Sequence, residues 1–189
     1  MKIYSHLNAG SFSNTYLISN EATSEAIIID PAKISEELIN QIEDNNLKLV
    51  ALLVTHNHGS HVSGIKTLLK IYSPKIYGAD YEIAGENTNV ITSDGTLRLA
   101  GLIVKYMTLP GHTSDSMIYQ IGNAIFTGDS ISAGKLGNTN SSYSSHLLRR
   151  NINDKIFSQQ ENTVLFPGHG PPTSVGAEIR YNIDMDEEE

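Results

Sequence analysis

Cysteine is absent from this chain of 189 residues. Its absence excludes disulfide bonds, thiolate metal sites and a cysteine nucleophile together. Any metal ion must therefore be held by imidazole and carboxylate groups, a donor set that suits zinc, iron, manganese and similar ions. The lack of cysteine does not by itself indicate a cellular compartment.

Long hydrophobic runs are also missing. No stretch approaches the roughly 20 apolar residues that a membrane span needs, and no apolar region follows Lys2 at the N-terminus. We therefore expect neither a membrane segment nor a signal peptide, and a cytoplasmic location. Hydrophobic residues still make up 39% of the chain, which is enough for a buried core and too many for a disordered protein.

Positive charge is scarce. Thirteen Lys and Arg residues stand against 21 Asp and Glu residues, the net charge is −8, and no basic patch is visible. Such a chain does not attract phosphate backbones, so we expect a small-molecule substrate rather than a nucleic acid. Five of the acidic residues fall in the last six positions, and we predict that residues 184–189 form a solvated acidic tail. The sequence leaves the oligomeric state open.

Residues 1–183 have the pattern of one α/β domain, with no linker that would separate two. Apolar runs bounded by turn residues predict strands, and apolar residues at helical spacing predict helices. We predict strands within residues 11–19, 26–29, 47–55, 75–77, 96–109, 116–121, 124–127 and 163–166. We predict helices over residues 35–45, 62–72, 141–159 and 174–181. Because strands and helices alternate in both halves, the helices should cover a mostly β core.

Histidine is concentrated in three short loops, each directly after an apolar strand. A fourth such loop supplies a carboxylate. The residues are His56, His58 and His61 in the first loop, His112 in the second, His169 in the third and Asp129 in the fourth. Because the ends of adjacent strands lie close together at one edge of a sheet, these loops can converge on a metal site. We interpret the two remaining histidines, His6 and His146, as ordinary loop residues.

The spacing of the histidines indicates two groups of ligands. His56 and His58 are two apart in an extended stretch, so both imidazoles can face the same side and, with His112, hold one metal. Three residues remain for a second metal: His61, His169 and, as a bridge between the two metals, Asp129. A catalytic zinc site of this kind keeps one position open for water.

Taken in order, these motifs resemble those of the metallo-β-lactamase superfamily over nearly the whole chain. The run at 167–173, Pro-Gly-His-Gly-Pro-Pro-Thr, is especially similar to the glyoxalase II branch. The resemblance implies a four-layer αββα sandwich with a dinuclear site at one edge. It implies the same two ligand groups, with Asp129 as the bridging, catalytic carboxylate. It also implies that Asp30 is a carboxylate near the site that supports either the loop or the histidine geometry.

One departure from the family pattern concerns the metals. The family's first motif is His-x-His-x-Asp-His, and Ser60 occupies the aspartate position here. A neutral hydroxyl brings neither the charge nor the donor strength that a divalent cation favours. We therefore expect one tightly bound zinc and a second that is weak or absent, with iron as the alternative metal and reduced activity as a consequence of Ser60.

A second departure concerns the substrate. Residues 133–138 correspond to a loop that often carries a basic residue for substrate carboxylates, and Asn138 stands where arginine is more usual. Lys135 either takes that part or is an ordinary exposed lysine. We expect no counterpart of the helical domain that grips glutathione in glyoxalase II, so glutathione thioesters are possible substrates but not well supported ones.

Three functions are compatible with these motifs. The favoured one is a zinc-dependent hydrolase in which a metal-bound hydroxide attacks an ester, thioester or similar carbonyl. The second is a mononuclear iron enzyme similar to the persulfide dioxygenases of the superfamily, which would use His56, His112 and Asp129. The third is a degenerate member that binds metal with little activity, a hypothesis that Ser60 motivates.

Overall fold

The computed structural model of the protein describes residues 1–185. The first half of the chain forms, in order, β1 (Lys2–Asn8), β2 (Ser13–Asn20), β3 (Glu25–Ile29), α1 (Glu36–Asp44), β4 (Lys48–Leu53), α2 (Gly59–Val62), α3 (Ile65–Leu69), β5 (Lys75–Gly78), β6 (Glu82–Ile83), β7 (Glu86–Asn87) and β8 (Asn89–Val90). The second half forms β9 (Gly95–Leu99), β10 (Leu102–Thr108), β11 (Met117–Ile121), β12 (Ala124–Gly128), β13 (Ile131–Ser132), β14 (Lys135–Leu136), α4 (Ser142–Lys155), β15 (Val164–Pro167), β16 (Thr173–Ser174) and α5 (Val175–Tyr181).

Two six-stranded sheets face each other. The N-terminal sheet has the strand order β1-β2-β3-β4-β5-β8, and the C-terminal sheet has the order β16-β15-β12-β11-β10-β9. Both sheets contribute to the core between them, including Tyr16 and Leu53 from the first and Tyr119 and Phe126 from the second. Alternation along each strand leaves a second apolar face on each sheet, and each must be covered.

Helices cover both outer faces. Leu38 and Ile42 of α1 pack on the N-terminal sheet together with residues of α2 and α3, and Leu148 and Ile152 of α4 pack on the C-terminal sheet together with α5. The α1 helix begins where Ser35 accepts a hydrogen bond from the Leu38 amide, as an N-cap serine does. The predicted four-layer αββα sandwich is confirmed.

Two predicted elements are interrupted in the structure. The strand predicted over 96–109 is a hairpin of β9 and β10, because Ala100 and Gly101 both adopt positive φ and reverse the chain. The helix predicted over 62–72 is broken into α2 and α3 at Gly64, whose amide donates to the Pro31 carbonyl. A Cβ at Gly64 would lie 1.9 Å from the Ala32 carbonyl oxygen, so this close approach requires glycine.

The two sheets are joined at the edge where the histidine loops lie. The Met117 amide donates to the Thr55 carbonyl at 2.7 Å, and the Tyr119 hydroxyl donates to the Val54 carbonyl at 2.7 Å. The Gly168 amide donates to the Gly128 carbonyl at 2.7 Å, which joins the ends of β15 and β12. The loops that follow β4, β12 and β15 therefore start from fixed points close to one another.

The end of the described chain contacts the domain. Asp184 accepts a hydrogen bond from the Leu136 amide through Oδ2 at 2.8 Å and from Arg149 Nε through its carbonyl at 2.9 Å. Met185 packs on the apolar cluster beneath α4. The boundary at residue 183 stays a prediction, although these first two residues of the predicted tail are in contact with the domain. Residues 186–189 of the predicted tail lie outside the described residues.

We expect Asp184→Ala to lower the thermal stability of the protein. The variant leaves the Leu136 amide without its carboxylate partner, and one lost hydrogen bond of about 1 kcal/mol lowers the Tm of a chain of this size by roughly 2–4 °C. Thermal unfolding followed by circular dichroism measures the change. The matched control is Asp44→Ala at the exposed end of α1, which should change the Tm by less than about 1 °C. Equal Tm values for the two variants would contradict the prediction.

Of residues 1–185, no segment forms a helix that is both long and apolar enough to cross a membrane.

Candidate metal centre

Three histidine side chains meet beside the end of β4. His58 has extended backbone angles, φ −89° and ψ 142°, which turn its imidazole to the same side as that of His56. The His56 Nε2 and His58 Nδ1 atoms are 2.9 Å apart. The loop after β10 brings His112 Nε2 to 3.4 Å from the same His58 nitrogen. Three imidazole nitrogens therefore face one point.

Asp129 lies between these three histidines and two others. It follows β12 directly, and its Oδ2 atom is 3.8 Å from His56 Nε2 and 3.9 Å from His112 Nε2. The same oxygen is 3.3 Å from His61 Nε2. The other carboxylate oxygen, Oδ1, is 2.7 Å from His169 Nδ1. The structure thus brings all five predicted histidine ligands together around the Asp129 carboxylate.

The side chains form two ligand groups that share Asp129. The first ligand group is His56, His58, His112 and Asp129, and the second ligand group is His61, His169 and Asp129. Within each group, the candidate ligand atoms all lie within 4.8 Å of one another.

The buried nitrogen of His61 tests whether these groups suit a metal. His61 Nε2 is buried and makes no hydrogen bond within the described residues, although it lies beside Asp129. Apart from this contact with Asp129, the buried nitrogen has no partner, and a metal ion would supply one. The arrangement of imidazole nitrogens and one carboxylate is also a donor set that zinc and iron accept. The residues present therefore fit a metal centre.

A buried carboxylate orients the histidines from behind. Asp30 Oδ2 lies 3.0 Å from His61 Nδ1 and accepts a hydrogen bond from the Thr55 hydroxyl, and Asp30 Oδ1 accepts from the Thr55 amide. The Thr55 hydroxyl is in turn 3.1 Å from His56 Nδ1. Such contacts to the nitrogen away from a metal fix the orientation of a ligating imidazole. The supporting role expected for Asp30 agrees with this geometry. The contact of Thr55 with His56 was not predicted, because no sequence pattern marks it.

Two further contacts fix the ligand loops. His112 Nδ1 lies 2.7 Å from the backbone carbonyl of Asn138. The Asn57 amide, between His56 and His58, donates to Asp115 Oδ2 at 2.7 Å. Sequence reasoning missed both, because a backbone carbonyl leaves no residue-type signal and Asp115 stands outside the ligand spacing.

One histidine of each ligand group, His56 in the first and His61 in the second, has a strongly shifted pKa. Burial, followed by the nearby His61 charge, lowers the pKa of His56 to about 4. Burial also opposes protonation of His61, but the carboxylates of Asp30 and Asp129 outweigh it and raise the pKa of His61 to about 10. Although burial raises the pKa of Asp129, His61 and His169 hold it well below its ordinary value. In the metal-free protein, His61 and Asp129 therefore form an ion pair.

This ion pair predicts how the stability of metal-free protein depends on pH. The pKa of His61 is about 10 in the folded chain and about 6.5 in the unfolded chain. Its stabilising contribution is therefore complete below about pH 6.5 and is lost as the pH rises through 10, with a slope of at most about 1.4 kcal/mol per pH unit. We expect the free energy of unfolding in urea with a chelator to fall between pH 7 and pH 9. His61→Gln should flatten this dependence, and an equally steep fall in that variant would contradict the assignment.

Comparison with known proteins identifies the family. The family model described as "Metallo-beta-lactamase superfamily" matches residues 9–84. An uncharacterized protein of Treponema pallidum (strain Nichols) is 32% identical over 177 residues, which cover 92% of this chain and 94% of that protein. The crystal structure of ETHE1 from Myxococcus xanthus has a TM-score of 0.88 and 26% identity, with coverage of 97% of this chain and 84% of that one. The chain belongs to the metallo-β-lactamase superfamily.

Within this superfamily, the chain is similar to hydroxyacylglutathione hydrolases, as the predicted glyoxalase II-like branch implies. The hydroxyacylglutathione hydrolase of Chromohalobacter salexigens is 27% identical over 157 residues, which cover 82% of this chain. The match spans only 60% of that hydrolase. The similarity therefore gives no information about what the rest of that hydrolase contributes to its activity.

Ser60 lies on α2 immediately before His61. Its backbone carbonyl accepts a hydrogen bond from the Ser13 hydroxyl at 2.7 Å, and its own hydroxyl makes no hydrogen bond within residues 1–185. The second ligand group of this superfamily member therefore contains one carboxylate, Asp129, where the family motif would supply a second.

Four further residues were singled out in the sequence, namely Lys135, Asn138, His6 and His146. Lys135 is exposed on β14, while the Asn138 carbonyl contacts His112 directly. His6 lies in β1 and His146 in α4, so neither is the loop residue that we predicted. Both lie outside the two ligand groups found among the described residues.

Proposed function

We propose that this chain is a metal-dependent hydrolase that acts on an ester, thioester or similar carbonyl of a small molecule. The observation that supports this most directly is the pair of ligand groups that share Asp129 at one edge of the sandwich. Superfamily membership and the similarity to hydroxyacylglutathione hydrolases support the reaction class. The acidic net charge favours a small molecule over a nucleic acid.

We assign the first metal to His56, His58 and His112, the second to His61 and His169, and a shared position to Asp129. Zinc is the proposed ion, since imidazole nitrogen is a preferred zinc donor. When bound, such an ion lowers the pKa of a coordinated water towards about 7 and polarises a carbonyl oxygen.

The residues of the chain have separate parts in this proposal. Asp129 is the catalytic carboxylate: it holds the attacking water, and its depressed pKa keeps it ionised and able to accept a hydrogen bond at neutral pH. Asp30 and the Asn138 carbonyl hold the imidazoles of His61 and His112 in place. Lys135 is the proposed partner of a substrate carboxylate, because it is an exposed cation on the strand that leads to Asn138.

Metal content and hydrolysis measured on the same protein test the proposal. Protein purified without chelator is analysed by plasma mass spectrometry and assayed on a panel of thioesters and esters, before and after chelation and zinc addition. We expect one to two zinc ions per chain, hydrolysis that chelation abolishes, and recovery with zinc. Asp129→Asn should lower kcat by at least about 100-fold, whereas Asp44→Asn on α1 should leave it unchanged. Full metal loading without hydrolysis of any member of the panel would contradict the proposal.

The iron alternative is separated by the same preparation. His56 and His112 lie at 3.8 and 3.9 Å from one oxygen of Asp129, an arrangement of two histidines and one carboxylate that also suits mononuclear iron. One iron per chain, with oxygen uptake on a persulfide and no hydrolysis, would replace the hydrolase proposal with an oxygenase. Zinc alone, with no oxygen uptake, would exclude that alternative.

A further inference from the structure

Two residues at the start of β2 lie between the loops that carry the second ligand group. Ser13 and Asn14 are 0% and 5% exposed, and Ser13 forms an isolated β-bridge with His169. On one side of this pair is the loop that ends in His61. Their position gives them contact with both halves of the second ligand group at once.

Ser13 holds the His61 side. Its hydroxyl donates to the Ser60 carbonyl at 2.7 Å, one peptide before His61. The Ser13 hydroxyl also lies 2.7 Å from the Ser11 hydroxyl, which accepts from the Asn8 side chain at 2.6 Å. A chain of hydrogen bonds thus fixes the peptide that positions His61.

Asn14 holds the His169 side. Its backbone amide donates to the Gly168 carbonyl at 2.7 Å, and its side-chain nitrogen donates to the Pro167 carbonyl at 3.0 Å and the Gly170 carbonyl at 2.8 Å. Backbone carbonyls before and after His169 are therefore bound to one residue. The two side-chain bonds use both amide hydrogens, which neither aspartate nor serine could supply.

We propose that Asn14 is a positioning residue that fixes His169 opposite His61 and so sets the affinity of the second metal. This inference rests on the ligand assignment in the proposed function. Without a carboxylate at Ser60, the second metal has few strong donors, so its affinity depends more than that of the first on how well those donors are placed. The first ligand group has no residue in the loop that Asn14 binds, and its affinity should be independent of Asn14.

Stepwise zinc affinities test this division. We measure the first and second dissociation constants of Asn14→Ala by competition with a chromophoric chelator, and the number of bound ions by mass spectrometry. The second zinc should bind at least 10-fold more weakly than in wild type, with the first changed less than about threefold. The control is Asn20→Ala, at the other end of β2, whose side chain donates to the Ala100 carbonyl at 2.8 Å and should change neither affinity.

A milder variant tests the positioning role of the Asn14 contacts if Asn14→Ala does not fold. The Tyr16 hydroxyl donates to the Pro167 carbonyl at 2.6 Å, so Tyr16→Phe removes one bond from the His169 loop and keeps the ring. It should weaken the second zinc about two- to fivefold and leave the first unchanged. Equal weakening of both zinc ions, or unchanged affinities in these variants, would overturn the inference. A wild type that takes up only one zinc would also overturn it, whereas the hydrolase proposal would still be decided by turnover.

Discussion

Gly168→Ala should disrupt the metal centre, because the added methyl group would meet two of the candidate ligand residues. A Cβ at Gly168 would lie 2.5 Å from Asp129 Oδ1, 2.6 Å from His61 Cε1 and 3.0 Å from the Gly128 carbonyl carbon. The added methyl therefore pushes apart two members of the second ligand group. Because Asp129 belongs to both groups, we expect loss of the second metal, weaker binding of the first, and a decrease in kcat/KM of about 100-fold or more.

Gly59→Ala provides the matched control for this variant. Gly59 lies in the first histidine loop, two residues before His61, and a Cβ there would meet nothing within 4 Å. Alanine also favours helix at this first residue of α2. Metal content by mass spectrometry and kcat/KM should stay within about twofold of wild type. If Gly168→Ala kept the metal content and kcat/KM of Gly59→Ala, the close approach of residue 168 to Asp129 and His61 would not be a requirement of the metal centre.

The covering of a mostly β core by helices could be predicted from the sequence, because a buried strand leaves a continuous apolar run. The runs at 26–29 and 49–54 are continuously apolar, and β3 and β4 are found there with most of their residues buried. The edge strand β1 was missed because its side chains alternate between exposed and half-buried and include Lys2, Ser5 and His6. The hairpin between β9 and β10 was missed because its turn is Ala100–Gly101, which lacks the Asn-Gly or Asp-Gly pattern that marks such turns.

The candidate metal centre could also be predicted only in part from the sequence. Histidines and one aspartate at strand ends predicted which side chains come together, since strand ends at one edge are neighbours in space. The hydrogen bonds that orient those side chains could not be predicted. Asn14 donates to three backbone carbonyls that lie more than 100 residues away in the sequence. The Asn138 carbonyl contacts His112. Backbone acceptors are present at every residue, so only the folded chain selects which of them is used.

Ser60→Asp should have the opposite effect to Gly168→Ala and strengthen the second metal. The substitution adds a carboxylate one residue before His61, at the position where the superfamily motif has aspartate. The Ser60 hydroxyl makes no hydrogen bond within the described part of the chain, so the substitution removes no hydrogen bond of that hydroxyl. A carboxylate brings charge and donor strength that a hydroxyl lacks. We expect the second zinc to bind roughly 10- to 100-fold more tightly, in proportion to what a single ligand-shell residue contributes.

A matched variant separates ligation from charge in this experiment. Ser63→Asp adds the same charge at an exposed residue just after α2, and it should change the second zinc affinity by less than about threefold, because an exposed charge acts through screened solvent. Chelator competition gives the affinities, and turnover at saturating zinc shows whether the added ligand restores rate as well as binding. Equal gains in the two variants would mean that net charge sets the affinity. A gain confined to Ser60→Asp would mean that the weak second site comes from the missing ligand itself, in a centre whose other five imidazoles and shared carboxylate are already in place.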